Sequence, residues 1–212
     1  MICALVVMAK APVPGRSKTR LCPPCSFEEA AALAEAALGD TLEAVVATRV
    51  ARSVVVLDGE PGPWLPRGLE VIPQRGGGLD ERLAAAFEDT DGPALLIGMD
   101  TPQITPGVLE RSLAKLAHPA ADALLGDAED GGYWAIGLRR PDPVVFLDVP
   151  MSTSRTAAAQ RHRLGALGLR VGELPRLHDV DRIEDAYAVA STIPGSRFAG
   201  MLATVRPRPV AG

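Results

Sequence analysis

The sequence has few of the side chains on which many common functions depend. Only 4% of its residues are aromatic, and it contains three histidines and three cysteines. So few aromatic rings argue against a stacking platform for single-stranded nucleic acid. A formal net charge of −4 argues against a general nucleic-acid surface. No run of about 18 apolar residues occurs, so we expect no membrane span.

The few cysteines also bear on the compartment and on redox chemistry. An odd number of cysteines favours a reducing environment, so we expect a cytoplasmic location. Cys22 and Cys25 have C-x-x-C spacing, but no second such pair and no nearby histidine accompany them, which disfavours zinc. A basic loop precedes the pair, whereas a thioredoxin-like motif follows a strand. A thiol-redox role is therefore kept only as a minor alternative.

The remaining composition fits one α/β domain. Hydrophobic residues make up 47% of the 212-residue chain, enough for a sizeable core. No internal repeat or domain linker is evident, so we expect a single domain over residues 1–204. Residues 205–212, where prolines recur, are expected to form a flexible tail. The apolar residues 2–8 have no basic residues before them, which favours a first strand over a signal peptide.

Local signals predict the order of strands and helices. Ser26 with Glu29 three residues later is a capping box that begins a long helix. Thr105 followed by Pro106 begins another helix. Further predicted helices cover residues 79–88, 155–167 and 183–191. Predicted strands cover residues 2–8, 53–57, 69–73, 94–97, 122–126, 134–138 and 169–174.

One aspartate lies where a ligand would bind in such a fold. Residues 94–97 are wholly apolar, and the run stops at Gly98, just before Asp100. A continuous apolar run fits a strand buried on both faces of a parallel sheet. Ligands bind beyond the carboxyl ends of such strands, so Asp100 is a candidate ligand of a divalent metal. The alternative is that Asp100 caps an Asp-Thr-Pro turn, and this stretch alone does not decide between the two.

The loop after the first predicted strand is basic. Lys10, Arg16, Lys18 and Arg20 lie within eleven residues that contain no acid. Backbone N–H groups and cations after a buried strand are suited to binding phosphate. The loop is neither a Walker A motif nor G-x-G-x-x-G, and a solvated basic loop is the alternative. We favour anion binding, because strand order predicts this loop at the same sheet edge as Asp100.

A glycine run precedes the predicted helix at residues 79–88. Gly76 and Gly77 would allow close backbone approach to a nucleotide. Arg82, one turn into the helix, is a candidate contact to a phosphate or a base. The alternatives are a flexible connection and a solvated helix arginine.

Candidate acceptor contacts lie later in the chain. Two of the eight aromatic residues, two glycines and three acids are concentrated before and within the predicted strand at residues 134–138. This composition favours a substrate-facing turn, with a hairpin that has an acidic rim as the alternative. Ser152 could cap a helix or offer its hydroxyl to a ligand. The candidate acceptor-binding residues are Asp130, Gly131, Gly132, Tyr133 and Ser152.

Two further carboxylates complete a candidate metal site. Asp179 and Asp181 alternate along the chain, which places both on one side of an extended segment. With Asp100 they offer the hard oxygen ligands that Mg²⁺ prefers. His178 is the only histidine near this chemistry, and a structural role for it is favoured over a catalytic one.

Four motifs occur together in an order that resembles a known family. They are Met-Ala-Lys-Ala-Pro at residues 8–12, Ile-Gly-Met-Asp-Thr-Pro at 97–102, Glu-Asp-Gly-Gly-Tyr-Trp at 129–134, and Asp-Val-Asp at 179–181. The set resembles DUF2064, a bacterial family of GT-A-like glycosyltransferases or nucleotidyltransferases within the nucleotide-diphospho-sugar transferase superfamily. The resemblance covers about residues 2 to 190.

The resemblance implies a three-layer α/β/α GT-A fold with a mostly parallel central sheet. It implies that Asp100 stands at the fold's metal-binding aspartate, with Asp179 and Asp181 as later ligands of Mg²⁺ or Mn²⁺. It also implies that the donor's phosphates are held by Lys10, Arg16, Lys18 and Arg20, and that Gly131 and Gly132 border the acceptor. Asp100 and Lys18 are the candidate catalytic residues.

The function expected from the residues and the resemblance is a metal-dependent transferase with a nucleotide-activated donor and a small-molecule acceptor. The glycine-rich opening of typical nucleotidyltransferases is replaced by a Pro/Lys/Arg loop, so a nucleotide-sugar donor is favoured over an NTP. Met151 and Asp80 also depart from the family's usual Trp and Gly. The alternative function is a nucleotide-binding regulatory module without turnover. The sequence leaves the base, the sugar, the acceptor and the oligomeric state open.

Overall fold

The computed structural model describes residues 3 to 205. Its strands are β1 (Ala4–Lys10), β2 (Arg52–Asp58), β3 (Glu70–Pro73), β4 (Ala94–Gly98), β5 (Ala123–Asp127), β6 (Tyr133–Leu138) and β7 (Val171–Glu173). Its α-helices are α1 (Phe27–Ala47), α2 (Leu79–Thr90), α3 (Pro106–Ala117), α4 (Thr156–Ala166), α5 (Ile183–Thr192) and α6 (Arg197–Leu202). Short 3₁₀ helices occur at Thr19–Leu21 and Pro143–Phe146.

The predicted helix starts are formed by the expected side chains. The Ser26 hydroxyl accepts from the Glu29 N–H at 3.1 Å, and the Glu29 carboxylate accepts from the Ser26 N–H at 2.7 Å. The Thr105 hydroxyl caps α3 by accepting from the Val108 N–H. These bonds satisfy backbone donors that the first helical turn leaves unpaired.

The seven strands form one mostly parallel sheet in the order β3-β2-β1-β4-β6-β5-β7. Strand β6 is antiparallel to both of its neighbours, because a tight hairpin joins it to β5. In register, Met8 lies opposite Gly98 and Lys10 lies opposite Asp58. The carboxyl ends of β1, β2 and β4 therefore meet at one edge, where the sequence predicts the site.

Helices cover both faces of the sheet. On one face, Leu38 and Leu42 of α1 and Leu109 of α3 pack in a hydrophobic cluster with inward residues of the strands. On the other face, Phe87 of α2 and Leu164 of α4 belong to a second cluster. The fold is thus the predicted three-layer α/β/α arrangement with a mostly parallel sheet.

A third hydrophobic cluster lies outside the first helical layer. Phe198 of α6 and Val189 of α5 pack on α1 together with Leu21, which is fully buried in the first 3₁₀ helix. Burial of Leu21 fixes the chain directly after Lys18 and next to Arg20. The cluster therefore fixes the end of the basic loop on the side away from the sheet edge.

The structure differs from the sequence predictions mainly at the edges of elements. Helix α6 and both 3₁₀ helices were not predicted, and the strand predicted at residues 169–174 is reduced to Val171–Glu173. Of the tail predicted at residues 205–212, only Val205 lies within the described residues, and it is buried in the third cluster. No helix within residues 3–205 combines the length and apolar character needed to cross a membrane.

A buried tryptophan ties the sheet to the segment that follows β7. The Trp134 side chain lies over Gly126, and its indole N–H donates to the Pro175 carbonyl oxygen at 2.8 Å. A Cβ atom at Gly126 would lie 2.5 Å from the indole nitrogen, so this position has room only for glycine. The bond to Pro175 fixes the chain a few residues before Asp179.

We expect Gly126→Ala to destabilise the protein, because the added methyl would overpack against a rigid buried indole. The expected loss is about 1–3 kcal/mol in the free energy of unfolding, measured by urea denaturation. Gly165→Ala is the matched control: apart from its chain neighbours and the backbone of its own helix, no atom lies within 4 Å of its added Cβ. That variant should be neutral or more stable by about 0.5–1 kcal/mol. Equal stability of the two variants would contradict the packing explanation.

Candidate active site

Three distant segments meet at the carboxyl ends of β1 and β4. The extended segment around residues 178–182 is joined to the loop after β4 by two hydrogen bonds. The Val180 N–H donates to the Asp100 carbonyl oxygen at 3.0 Å, and the Gln103 side-chain amide donates to the His178 carbonyl oxygen at 2.6 Å. These bonds place Asp179 and Asp181 beside Asp100, as the sequence predicts.

Lys18 connects the basic loop to these carboxylates. Its Nζ lies 2.8 Å from Asp100 Oδ1 and 3.6 Å from Asp181 Oδ1, and it donates to the Val180 carbonyl oxygen. The side chain is only 8% exposed, and the residue adopts a left-handed backbone conformation with φ 51°. The ammonium is therefore a buried counter-charge to two aspartates from different segments.

The other predicted cations surround a first cavity of about 250 Å³. The Arg20 guanidinium lies 2.7 Å from Asp181 Oδ2 and is largely exposed. The buried Ser17 hydroxyl shapes the loop by donating to the Ala11 carbonyl oxygen at 2.9 Å. Lining this cavity are the four predicted cations Lys10, Arg16, Lys18 and Arg20, together with Asp100 and Asp181.

A second cavity, of about 310 Å³, opens on the α2 side of Asp100. Leu79, Leu83, Leu96 and Met99 give it apolar walls. Its polar residues include Asp58, which lies 3.7 Å from the Lys10 ammonium and 3.5 Å from the Arg82 guanidinium. The sequence pattern does not single out Asp58, because its partners Lys10 and Arg82 come from other segments of the chain.

The two glycines predicted to bind a nucleotide line none of the three cavities described here. The Gly77 N–H donates to the Glu81 carboxylate at 2.7 Å. Gly76 has φ 107°, and a Cβ atom there would lie 2.9 Å from Glu81 Cβ and 3.1 Å from the Arg82 nitrogen. Both glycines serve the entry into α2. Arg82, by contrast, lines the second cavity, and its role as a nucleotide contact stays a prediction.

A third cavity, of about 730 Å³, lies between the β5–β6 turn, the loop before α4 and the segment around Asp179. Four of the predicted acceptor residues line it, namely Asp130, Gly132, Tyr133 and Ser152. Gly131 is turned away: with φ 90°, its Cβ position would lie 2.0 Å from the Ser154 carbonyl oxygen. Its glycine permits a backbone contact between two loops. The turn joins β5 to β6 as the hairpin alternative predicts, and its contact with a substrate stays a prediction.

Tyr133 separates the second and third cavities, since it lines both. Its hydroxyl lies 3.4 Å from Gln160 Oε1, and burial raises the pKa of the phenol well above its usual range. The side chain is therefore neutral throughout the ordinary pH range. Its ring gives both cavities an apolar surface, and its hydroxyl is the one polar group of the side chain.

Asp179 is the most perturbed acid of the site. Burial is the main cause that raises its pKa to about 7, and the charges of Asp100, Asp130 and Asp181 add to it while Lys18 opposes it. Within residues 3–205, Asp179 Oδ1 is buried without a hydrogen-bond partner. A carboxylate oxygen in that position lacks the compensation that burial normally requires.

His178 holds this acidic segment in place. Its Nδ1 lies 3.0 Å from Glu129 Oε2, and its Nε2 lies 2.9 Å from Asp185 Oδ1. The hydrogen bond to Asp185 is the largest cause that raises the pKa of the imidazole. The other Asp185 oxygen accepts the N–H groups of Asp181 and Arg182. His178 thus links the β5–β6 turn to the start of α5.

The cysteine pair has little of the character that thiol chemistry needs. Burial, with the charges of Glu28 and Glu29, raises the pKa of the Cys22 thiol, and burial also raises the pKa of Cys25. Reactive cysteines have lowered thiol pKa values, because the thiolate is the nucleophile. Both cysteines are free thiols.

The acidic groups of the site offer part of a ligand set for a metal ion. No three histidine, cysteine or acidic side chains in the described part of the chain are grouped to hold an ion by themselves. Mg²⁺ and Mn²⁺ sites for phosphate chemistry commonly use one or two carboxylates and take further oxygens from the substrate. The unpartnered oxygen of Asp179 beside Asp100 and Asp181 fits that type of site.

The sheet order, the two helical layers and the loop cluster define a nucleotide-diphospho-sugar transferase fold. The chain belongs to the family described as "Uncharacterized protein conserved in bacteria (DUF2064)", whose model matches residues 32–153, more than half of the chain. The resemblance inferred from the four motifs is thereby confirmed. The match leaves out the basic loop and Asp179–Asp181.

Solved structures agree with this fold. A candidate nucleotide-diphospho-sugar transferase from Desulfovibrio desulfuricans G20 is 25% identical, with a TM-score of 0.85 over 96% of this chain and 95% of that one. CMP:2-keto-3-deoxy-manno-octonic acid synthetase, in complex with CTP, is 14% identical with a TM-score of 0.58 over 92% and 99%. Rv0371c from Mycobacterium tuberculosis H37Rv, in complex with manganese, is 20% identical with a TM-score of 0.55 over 90% and 98%. No curated protein matches the chain in sequence.

The raised pKa of Asp179 predicts a pH-dependent cost to stability in the absence of metal. The folded state holds the proton up to about pH 7, whereas the ordinary value is 3.8, so stability is lost as the pH rises between these values. Asp179→Asn cannot ionise and should avoid this loss, which is on the order of 2–4 kcal/mol. In EDTA, the melting temperature of the variant relative to wild type should rise by about 5 °C or more between pH 4.5 and pH 8. Parallel pH profiles would contradict the assignment.

Proposed function

We propose that this protein is a metal-dependent transferase that uses a nucleotide-activated donor. The observation that carries the proposal is the meeting of the basic loop with three aspartates at one sheet edge, through Lys18. Three cavities open from this point, and each has a distinct chemical character. Such an arrangement suits a ligand with a charged centre and two different ends.

The solved relatives support the nucleotide part of the proposal. One at 25% identity is described as a candidate nucleotide-diphospho-sugar transferase. A more distant one, which shares the fold, was solved with CTP. The present chain shares their fold, and four of its cations line a cavity near the carboxyl ends of β1 and β4.

The donor's phosphates would lie in the first cavity among Lys10, Arg16, Lys18 and Arg20. Its nucleoside would enter the second cavity, where apolar walls could contact a base and Arg82 and Asp58 offer hydrogen bonds. The acceptor would occupy the third cavity beside Tyr133. In this placement the transferred group passes Asp100, which lines all three cavities.

A divalent ion, Mg²⁺ or Mn²⁺, would be held by Asp100, Asp179 and Asp181. When bound, it would neutralise charge on the phosphates and on the leaving group. The chain's own contribution is positioning and electrostatics: Lys18 and the neighbouring arginines stabilise developing negative charge in a partly enclosed site. Tyr133 and Met151 line the cavity on the acceptor side.

We propose a nucleotide-sugar donor rather than an NTP, because the Pro/Lys/Arg loop replaces the glycine-rich opening of nucleotidyltransferases. The expected product is a nucleoside diphosphate, whereas nucleotidyl transfer would release pyrophosphate. Chromatography of reaction mixtures with each donor class separates the two. Binding of a donor without either product would favour the alternative, a regulatory module without turnover.

A thermal-shift panel tests donor binding first. NTPs, NDPs and nucleotide-sugars are each added with and without Mg²⁺ or Mn²⁺. A ligand at about 100 times its dissociation constant adds roughly 2.7 kcal/mol of stability, which raises the melting temperature by about 5–10 °C for a chain of this size. A metal-dependent shift with one donor class is the expected result. No shift with any nucleotide would overturn the proposed function.

Substitution of the central aspartate should separate binding from folding. Asp100→Asn is expected to abolish the metal-dependent part of the nucleotide-induced shift, because the ion loses a charged ligand. The melting temperature without ligands should change little, because the Asp100 carboxylate is partly exposed and its backbone bond to Val180 stays. Asp148→Asn, an exposed site outside the three cavities, is the matched control. An unchanged metal-dependent shift in Asp100→Asn would refute the assignment of Asp100.

A further inference from the structure

The Lys18 ammonium lies between two of the carboxylates that the proposed cation requires. Its Nζ is 2.8 Å from Asp100 Oδ1 and 3.6 Å from Asp181 Oδ1, and the Val180 carbonyl oxygen completes its contacts. Three oxygens from two segments thus converge on one monovalent charge. A cation that used the same oxygens would have to take the place of this ammonium.

The ammonium and a divalent ion cannot share these oxygens at low cost. At separations of about 4 Å, like charges repel by several kcal/mol when they are partly shielded from water. The Lys18 side chain is only 8% exposed, so solvent screens it poorly. Binding of the ion therefore requires that the ammonium move away from Asp100 and Asp181.

The same side chain borders the cavity proposed for the donor's phosphates. Lys18 lines the first cavity with Arg16 and Lys10, and Asp100 and Asp181 line it as well. The backbone after Lys18 is fixed by the buried Leu21, so movement falls to the flexible side chain. A phosphate in the first cavity would attract the ammonium away from the carboxylates and replace the charge interaction that it leaves.

Building on the proposed function, we propose that Lys18 is an exchangeable counter-ion, so that the site takes the divalent cation and the donor's phosphates together as one complex. Free cation binds weakly, because it competes with the Lys18 ammonium. Free phosphate binds weakly as well, because the ammonium is held by Asp100 and Asp181. Each ligand removes the obstacle to the other, which makes their binding mutually favourable.

Such coupling is reciprocal and has a typical size. If phosphate raises the affinity for the cation by some factor, the cation raises the affinity for phosphate by the same factor. Coupling between sites commonly amounts to about 5–150-fold. Removal of the Lys18 charge should therefore free the carboxylates for the cation and weaken the binding of phosphate.

The test measures the affinity for free Mn²⁺ by electron paramagnetic resonance, without any nucleotide. Lys18→Met keeps the length of the side chain and removes its charge, so this variant should bind free Mn²⁺ at least about tenfold more tightly than wild type. Lys10→Met is the matched control. Its ammonium borders the same cavity but pairs with Asp58 at 3.7 Å, so free Mn²⁺ affinity should change less than about threefold.

A second measurement observes the wild-type protein, and a variant that keeps the positive charge serves only to assign the signal. Magnetic resonance of ¹⁵N-labelled lysine ammonium groups, with the Lys18 signal assigned by its loss in Lys18→Arg, reports its contacts. Mg²⁺ alone should leave the signal in place, whereas Mg²⁺ with inorganic pyrophosphate should shift it. Pyrophosphate is the probe because both donor classes contain it.

The outcomes separate this inference from the proposed function. Equal affinity of wild type and Lys18→Met for free Mn²⁺ would overturn the inference alone, and so would bound magnesium pyrophosphate that leaves the Lys18 signal unmoved. Failure of wild type to bind either nucleotides or pyrophosphate with metal would overturn the proposed function and the joint binding with it. Tighter Mn²⁺ binding in Lys18→Met, with loss of pyrophosphate binding, is the expected result.

Discussion

The buried ammonium of Lys18 is the charge on which the arrangement of this site depends. Asp100 and Asp181 are brought together from segments about eighty residues apart. Asp179 lines the second and third cavities, as Asp100 does. Carboxylates so close together repel one another, and this repulsion adds to burial, the main cause of the raised pKa of Asp179. Lys18 offsets part of this repulsion and joins the basic loop to the acidic segment in a single hydrogen-bonded unit.

The scaffold supports this unit through contacts that lie outside it. The Trp134 indole holds Pro175, the Gln103 amide holds the His178 carbonyl, and the Val180 N–H holds the Asp100 carbonyl. Each contact fixes backbone rather than a side chain that could bind a ligand. The backbone contacts position the three aspartates, and their side chains remain at the cavities. A precise site needs such support from residues outside it.

The charges of the site are distributed unevenly around Asp100. Cations border the first cavity, apolar side chains border the second, and acids with hydroxyl groups border the third. Under the proposed function, this distribution would direct the phosphates of a donor to the first cavity and leave the third to an acceptor. The family match and the solved relatives establish the fold, and this distribution of charge is the basis for the function proposed on it.

The sequence by itself determined the features that depend on near neighbours: the helix starts at Ser26 and Thr105, the apolar strands, and the candidate residues Asp100 and Lys18. Only the tertiary structure decided that β6 is antiparallel and that Asp58 pairs with Lys10. It also decided the backbone contact that explains Gly131 and the contact of Lys18 with two aspartates. The physical reason is the distance along the chain over which each interaction acts. Caps and hydrophobic periodicity act over a few residues, whereas strand pairing and ion pairs join residues up to 163 positions apart, such as Lys18 and Asp181, which no local pattern encodes.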